Sequence, residues 1–132
     1  MKNELEQELV ERWPRWFNVT GDIRQTRMVD GFAHGDGWFY LLWRLCEDLE
    51  PLVAELEKQT GQQFEVLQVK EKFGGLRFYV NQHTYAIGER IQKAVQDSFQ
   101  TCELCGRPGH LFQSPSLAVR CDECAQEPTP CW

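Results

Sequence analysis

The sequence predicts an α+β fold in which N-terminal helices and a β-hairpin pack together and the last helix runs into a small cysteine-rich module. Three observations carry that prediction. Trp38, Leu41, Leu42, Leu45, Leu49, Leu52, Val53 and Leu56 recur at helical spacing across residues 38–58. Residues 64–70 and 76–80 are rich in β-branched and aromatic side chains and flank Gly74-Gly75, the pattern of a hairpin. Two C-x2-C pairs follow, Cys102 with Cys105 and Cys121 with Cys124, separated by 15 residues.

Taken in order, residues 4–13 read as a short helix, with Leu5, Leu9 and Trp13 on one stripe and Pro14 ending it. Residues 18–37 hold glycines at 21, 31, 35 and 37 and no lasting period. A loop of that length in a small domain points to function. Asp36 is placed to cap the second helix and Gly61 to end it. Pro51 inside that helix predicts a kink or two abutting helices at Glu50-Pro51. Cys46 lies beside the apolar stripe and reads as a buried core thiol. In the second strand Leu76, Phe78 and Val80 share one face, and Arg77 and Tyr79 share the other. A third helix over residues 84–100 turns Ile87, Ile91, Ala94, Val95 and Phe99 inward. The chain thus divides into an α+β domain, residues 1–100, and a module, residues 101–132, that ends in a loose tail from 127.

Composition sets the class and the compartment. With 132 residues, 42% hydrophobic and 12% aromatic, the chain has the material for a packed core. No apolar run approaches the ~20 residues of a membrane span. The first eight residues lack the basic-then-apolar order of a signal peptide. A cytoplasmic protein is expected, and reducing cytosol favours free thiols or metal ligands over disulfides. The net charge is −6, of which residues 1–100 hold −4 and residues 101–132 hold −2. Neither part has the basic excess of a sequence-independent nucleic-acid binder, so DNA or RNA is not expected as the main partner.

The cysteine spacing matches the zinc pattern of paired C-x2-C turns. Two residues between cysteines let a tight turn aim both sulfurs at one point, and two such turns complete a tetrahedron with Zn–S distances of ~2.3 Å. Gly106 permits the backbone conformation that such a turn often needs. Residues 110–113 and 117–120 read as short strands about Ser114-Pro115-Ser116, giving a zinc-ribbon or treble-clef-like unit. Four thiolates close the coordination sphere, so the expected ion is one structural zinc. An iron–sulfur cluster fits the same composition. His110 in place of one cysteine is the weaker ligand set. Cys131 reads as an incidental thiol near the chain end.

Two further segments hold candidate chemistry. Lys70-Glu71-Lys72-Phe73-Gly74-Gly75-Leu76-Arg77 crowds four charges and two glycines around the hairpin tip. A solvated turn explains it. A binding surface, with Lys70, Lys72 and Arg77 facing an acidic partner and Phe73 as apolar anchor, explains it as well. A metal-dependent hydrolase or nuclease would need its carboxylates here, but Glu65 and Glu71 lack the acid-x-lysine order of such sites. The second segment is Phe32-Ala33-His34-Gly35-Asp36-Gly37-Trp38-Phe39. His34 and Asp36 form a possible acid/base pair, against the simpler account in which Asp36 caps the helix and the glycines permit a tight entry. This loop and Trp38 form a second candidate contact surface. His83 belongs to a strand-to-helix turn, and no phosphate loop or nucleophile elbow is present.

The order Gly35-Asp36-Gly37-Trp38-Phe39, Leu45-Cys46, Gln68-Val69-Lys70-Glu71-Lys72-Phe73-Gly74-Gly75-Leu76-Arg77-Phe78-Tyr79 and the paired cysteines resembles a family of small uncharacterised proteins common in bacteriophage genomes and prophages. The resemblance spans about residues 12–125, and the hairpin segment is its most specific part. It carries no enzymatic activity with it. What it implies is a phage-type accessory protein, cytoplasmic in the host bacterium, that binds and inhibits a host protein, including an anti-defence role of the anti-CRISPR kind. A nucleic-acid-binding zinc ribbon and a metal-dependent nuclease are the alternatives.

Overall fold

The computed structural model describes residues 1–20, 26 and 28–126. The expected loose tail from 127, Cys131 and Gly21 lie outside the described residues. The first helix, α1, covers Asn3–Arg12. It buries Leu9, and the next residue on that stripe, Trp13, opens an aromatic cluster. Trp16 stacks on Trp13 at 6.0 Å, Trp43 meets it edge-on at 4.8 Å, and Phe64 meets Trp16 at 5.3 Å. The Trp13 indole N–H donates to a Glu50 carboxylate oxygen at 2.8 Å. Large rings with one satisfied polar edge pin the amino-terminal segment to the centre of the molecule.

The long helix α2 runs Phe39–Thr60 as one element through Pro51. Of the kink or the two abutting helices expected at Glu50-Pro51, two separate helices do not form: Leu49 and Val53 on either side of the proline are both anchored in the core, and Pro51 is exposed. Gly61 ends the helix with φ +70° and donates its N–H to the Glu57 carbonyl at 2.8 Å. Asp36 does not cap it. That residue opens a short 3-10 turn, Asp36–Trp38, and its carboxylate accepts the Lys2 N–H at 2.7 Å, at the start of α1.

The hairpin consists of β2 (Val66–Lys72) and β3 (Gly75–Val80), antiparallel, with an irregularity between Val66 and Gln68. Lys72 pairs with Gly75, so the turn is Phe73-Gly74 rather than Gly74-Gly75. Both turn residues have positive φ, +56° and +91°, as a two-residue type I′ turn requires. A further strand, β1 (Phe32–Ala33), pairs in parallel with β2 to give the order β1-β2-β3. Residues 18–37 carry no period that would signal it. Val69, Leu76 and Phe78 point into the core. Helix α3 (Tyr85–Ser98) packs on β3 and α2, capped by the Thr84 hydroxyl, which accepts the Ile87 N–H. No helix among the described residues is long and apolar enough to cross a membrane.

After α3 the chain forms β4 (His110–Phe112) and β5 (Ala118–Arg120), an antiparallel pair. A five-residue helix, α4 (Asp122–Gln126), follows. The whole is α+β. The expected boundary at residue 100 falls where the module is hydrogen-bonded to the body, as described next.

Candidate metal centre

Each C-x2-C pair is shaped by its backbone. In the first, the Cys102 carbonyl accepts the Gly106 N–H at 2.9 Å and the Cys102 N–H donates to the Arg107 carbonyl at 2.8 Å. Gly106 sits at φ +83°, the left-handed conformation that a side chain would resist. In the second pair Cys121 precedes α4 and Cys124 lies inside its first turn, with the Ala125 N–H donating to the Cys121 carbonyl at 3.0 Å. A knuckle, a short hairpin and a helix that carries the last ligand follow one another along the chain.

The four sulfurs of Cys102, Cys105, Cys121 and Cys124 lie within 4.8 Å of one another, and Cys105 Sγ is 3.5 Å from Cys121 Sγ. A tetrahedron of ~2.3 Å metal–sulfur bonds has edges of about 3.8 Å, so the spacing fits one ion. The four can bind a metal, and no disulfide links them. Cys102 and Cys121 are buried, Cys124 is half-buried and Cys105 is exposed. Burial works against the Cys105 thiolate, yet the Arg107 backbone and the hydrogen bonds of the other three thiols bring it down to about 6. Burial and those same neighbours push Cys124 up. Four sulfurs at this distance cannot all ionise unaided, and a divalent cation resolves that conflict. Among the described residues no other group of three or more His, Cys, Asp or Glu side chains can hold a metal. His110 lies outside the cluster, stacked on Phe112 at 4.4 Å.

The loop singled out around His34 serves this module from below. The Gly37 N–H donates to the Glu103 carbonyl at 2.7 Å. The Gly35 N–H donates to the Glu103 carboxylate at 2.8 Å, and the Trp38 indole N–H donates to the Thr101 carbonyl at 3.0 Å. The other Glu103 oxygen reaches Arg120 at 3.4 Å. Trp38 and His34 are buried in this seam, so they present no surface to a partner and are withdrawn as contact residues. Asp36, half-buried, is engaged by Lys2. His34 and Asp36 form no acid/base pair with each other: His34 Nδ1 donates to the Gly35 carbonyl at 2.8 Å, and its Nε2 is buried with no partner among the described residues. Burial above all, opposed by that carbonyl and assisted by the Met1 ammonium, lowers the imidazole to about 4.

The hairpin tip lies on the outside. Lys70 pairs across the strands with Arg77, and Gln68 with Tyr79. With Lys72 they occupy the sheet face opposite Val69, Leu76 and Phe78. Among the described residues none of these three cations has an ion-pair partner. Phe73 is 63% exposed, with the Lys72 ammonium 5.4 Å from its ring centroid, and Tyr79 is 45% exposed. Glu71 is turned back into the loop, where its carboxylate accepts the Gly74 N–H at 2.7 Å. Gly74 and Gly75 admit neighbours: a β-carbon at Gly75 would fall 2.4 Å from the Phe99 ring, and one at Gly74 would fall 2.6 Å from Leu111. No protein-family model, curated protein or solved structure matches the chain.

Proposed function

We propose that this is a non-enzymatic, phage-type accessory protein that binds and inhibits a host protein in the bacterial cytoplasm, with one structural zinc in its cysteine tetrad. The observation that carries the reading is Phe73. It is a bulky residue held at φ +56°, where asparagine or glycine is favoured, and it is left largely in solvent. Strain retained at an exposed, apolar position points to function. Beside it Lys70, Lys72 and Arg77 share one outward face of an acidic molecule, which suits an acidic partner. The resemblance to phage and prophage proteins supplies the setting, including an anti-defence role. Zinc is the metal because a closed tetrathiolate set suits it and leaves no position for water or substrate.

The test replaces Lys70, Lys72, Phe73 and Arg77 together in a tagged protein. The variant is expected to fold, to keep its metal, and to lose the host protein that the wild type captures from host lysate. Unchanged capture would sink the reading. A nucleic-acid-binding role has one specific observation behind it, the aromatic Tyr79 and Phe73 set among cations on a sheet face. A mobility-shift assay at moderate salt separates the two, with no affinity tighter than the non-specific range of ~10⁻⁴–10⁻⁶ M expected.

A further inference from the structure

Leu111 and Leu117 are apolar and in the metal module, yet 39% and 38% exposed. The Leu111 side chain and the backbone at residues 117–118 meet the hairpin tip. A β-carbon built on Gly74 would lie 2.6 Å from Leu111 Cδ1, 3.6 Å from the Ala118 nitrogen and 3.7 Å from the Leu117 carbonyl carbon. The turn that presents Phe73 therefore rests directly on the β4–β5 pair. Phe73, Leu111 and Leu117 are all exposed, and the contact at Gly74 brings together the two segments that carry them, with Lys70, Lys72 and Arg77 on the adjoining hairpin strands. Scattered exposed leucines need no explanation, but exposed apolar residues gathered beside a charged rim do.

We infer, resting on the binder reading above, that the docking surface is this composite of hairpin tip and metal module, and that its occupant is an acidic protein segment carrying apolar side chains. Charge complementarity selects the occupant. The molecule has a net charge of −6, so a face bearing three cations stands out from the rest of the surface, attracting an acidic segment and repelling a basic one. The apolar centre supplies contact energy, and the cations set orientation and partner choice. Because β4 and β5 belong to the metal module, the surface exists as a unit only while the module is folded.

The metal-loaded full chain is used to select from a displayed library of random short peptides, and enriched peptides are labelled and measured by fluorescence anisotropy. Acidic sequences with spaced apolar residues are expected. Replacing Leu111 and Leu117 by alanine is expected to weaken them by about tenfold or more, as truncation of central apolar contacts does. Amide shifts in the wild type, which need no variant, are expected to move at residues 73, 111 and 117. Basic or uncharged peptides, absence of enrichment, or an oligonucleotide displacing the peptide from these residues overturns the inference. A peptide that moves only the Lys70–Arg77 face, leaving 111 and 117 still, overturns the composite surface while the binder reading survives. Retained capture by the fourfold hairpin variant removes that reading as well.

Discussion

At Gly37 the space a side chain would take is filled by the Cys102 carbonyl, 2.0 Å from where a β-carbon would sit, with the Gly106 nitrogen at 2.6 Å. Backbone cannot move aside as a rotamer can, so Gly37→Ala is expected to cost at least the ~1–3 kcal/mol of ordinary overpacking and to weaken metal binding. Gly61→Ala is the control. Nothing lies within 4 Å of that β-carbon, and φ is +70°, so it is expected to cost about 1 kcal/mol of conformational strain and leave metal affinity alone. Urea titration with a zinc-competition assay reads both. His34 makes a separate prediction. Its imidazole is held near 4 by burial, against 6.5 in the unfolded chain. The depressed value means the stabilising neutral form is fully present above 6.5. That contribution, about 3 kcal/mol at most, is lost as pH falls from 6.5 towards 4. Metal release also weakens the fold in acid, so the check is a difference: His34→Phe should show a flatter slope of stability against pH than the wild type. At this scale the four cysteines were legible because their spacing is itself the chemistry. Glu103, which ties Gly35, Gly37 and Arg120 together, was not, since a glutamate between two ligands looks like any solvated acid.

The hairpin shows an element whose turn departs from local propensity. Type I′ turns favour Asn-Gly, whose first residue tolerates positive φ; this chain has Phe73-Gly74. Phe73→Asn is therefore expected to raise stability by up to about 1 kcal/mol while weakening partner capture. A variant that gained stability and kept full capture would relieve Phe73 of any part in recognition. The two long helices and both strands were readable because their periods of 3.6 and 2 persist over several turns or pairs. The strand β1 was hidden: two residues, Phe32 and Ala33, pair in parallel with residues far along the chain, and no local pattern encodes a distant parallel partner. Two separate helices do not form at Pro51 for the opposite reason: core burial on both sides outweighs one missing amide.

Across the whole molecule, cysteine module and core are joined by the seam of Gly35, Gly37 and Trp38 on Thr101 and Glu103. One equivalent of zinc per chain is expected by native mass spectrometry, without the visible absorption of an iron–sulfur cluster. Strong chelator is expected to lower the melting temperature and to alter the near-ultraviolet signal of buried Trp38, in one cooperative transition rather than two. The glycines of the loop before α2 read in the sequence as permitting a tight entry. In three dimensions they are absences, shaped to another part of the chain, and a single sequence does not say whether a glycine bends or makes room. That seam also dictates how the molecule can be dissected. A truncation after Gln100 would strip an acceptor from the Trp38 indole and from two backbone amides and open the buried Trp38 ring to solvent, while the severed piece would carry its ligands on a knuckle with nothing beneath it. Deletion series meant to assign recognition to one half or the other will therefore report misfolding from both sides of the cut.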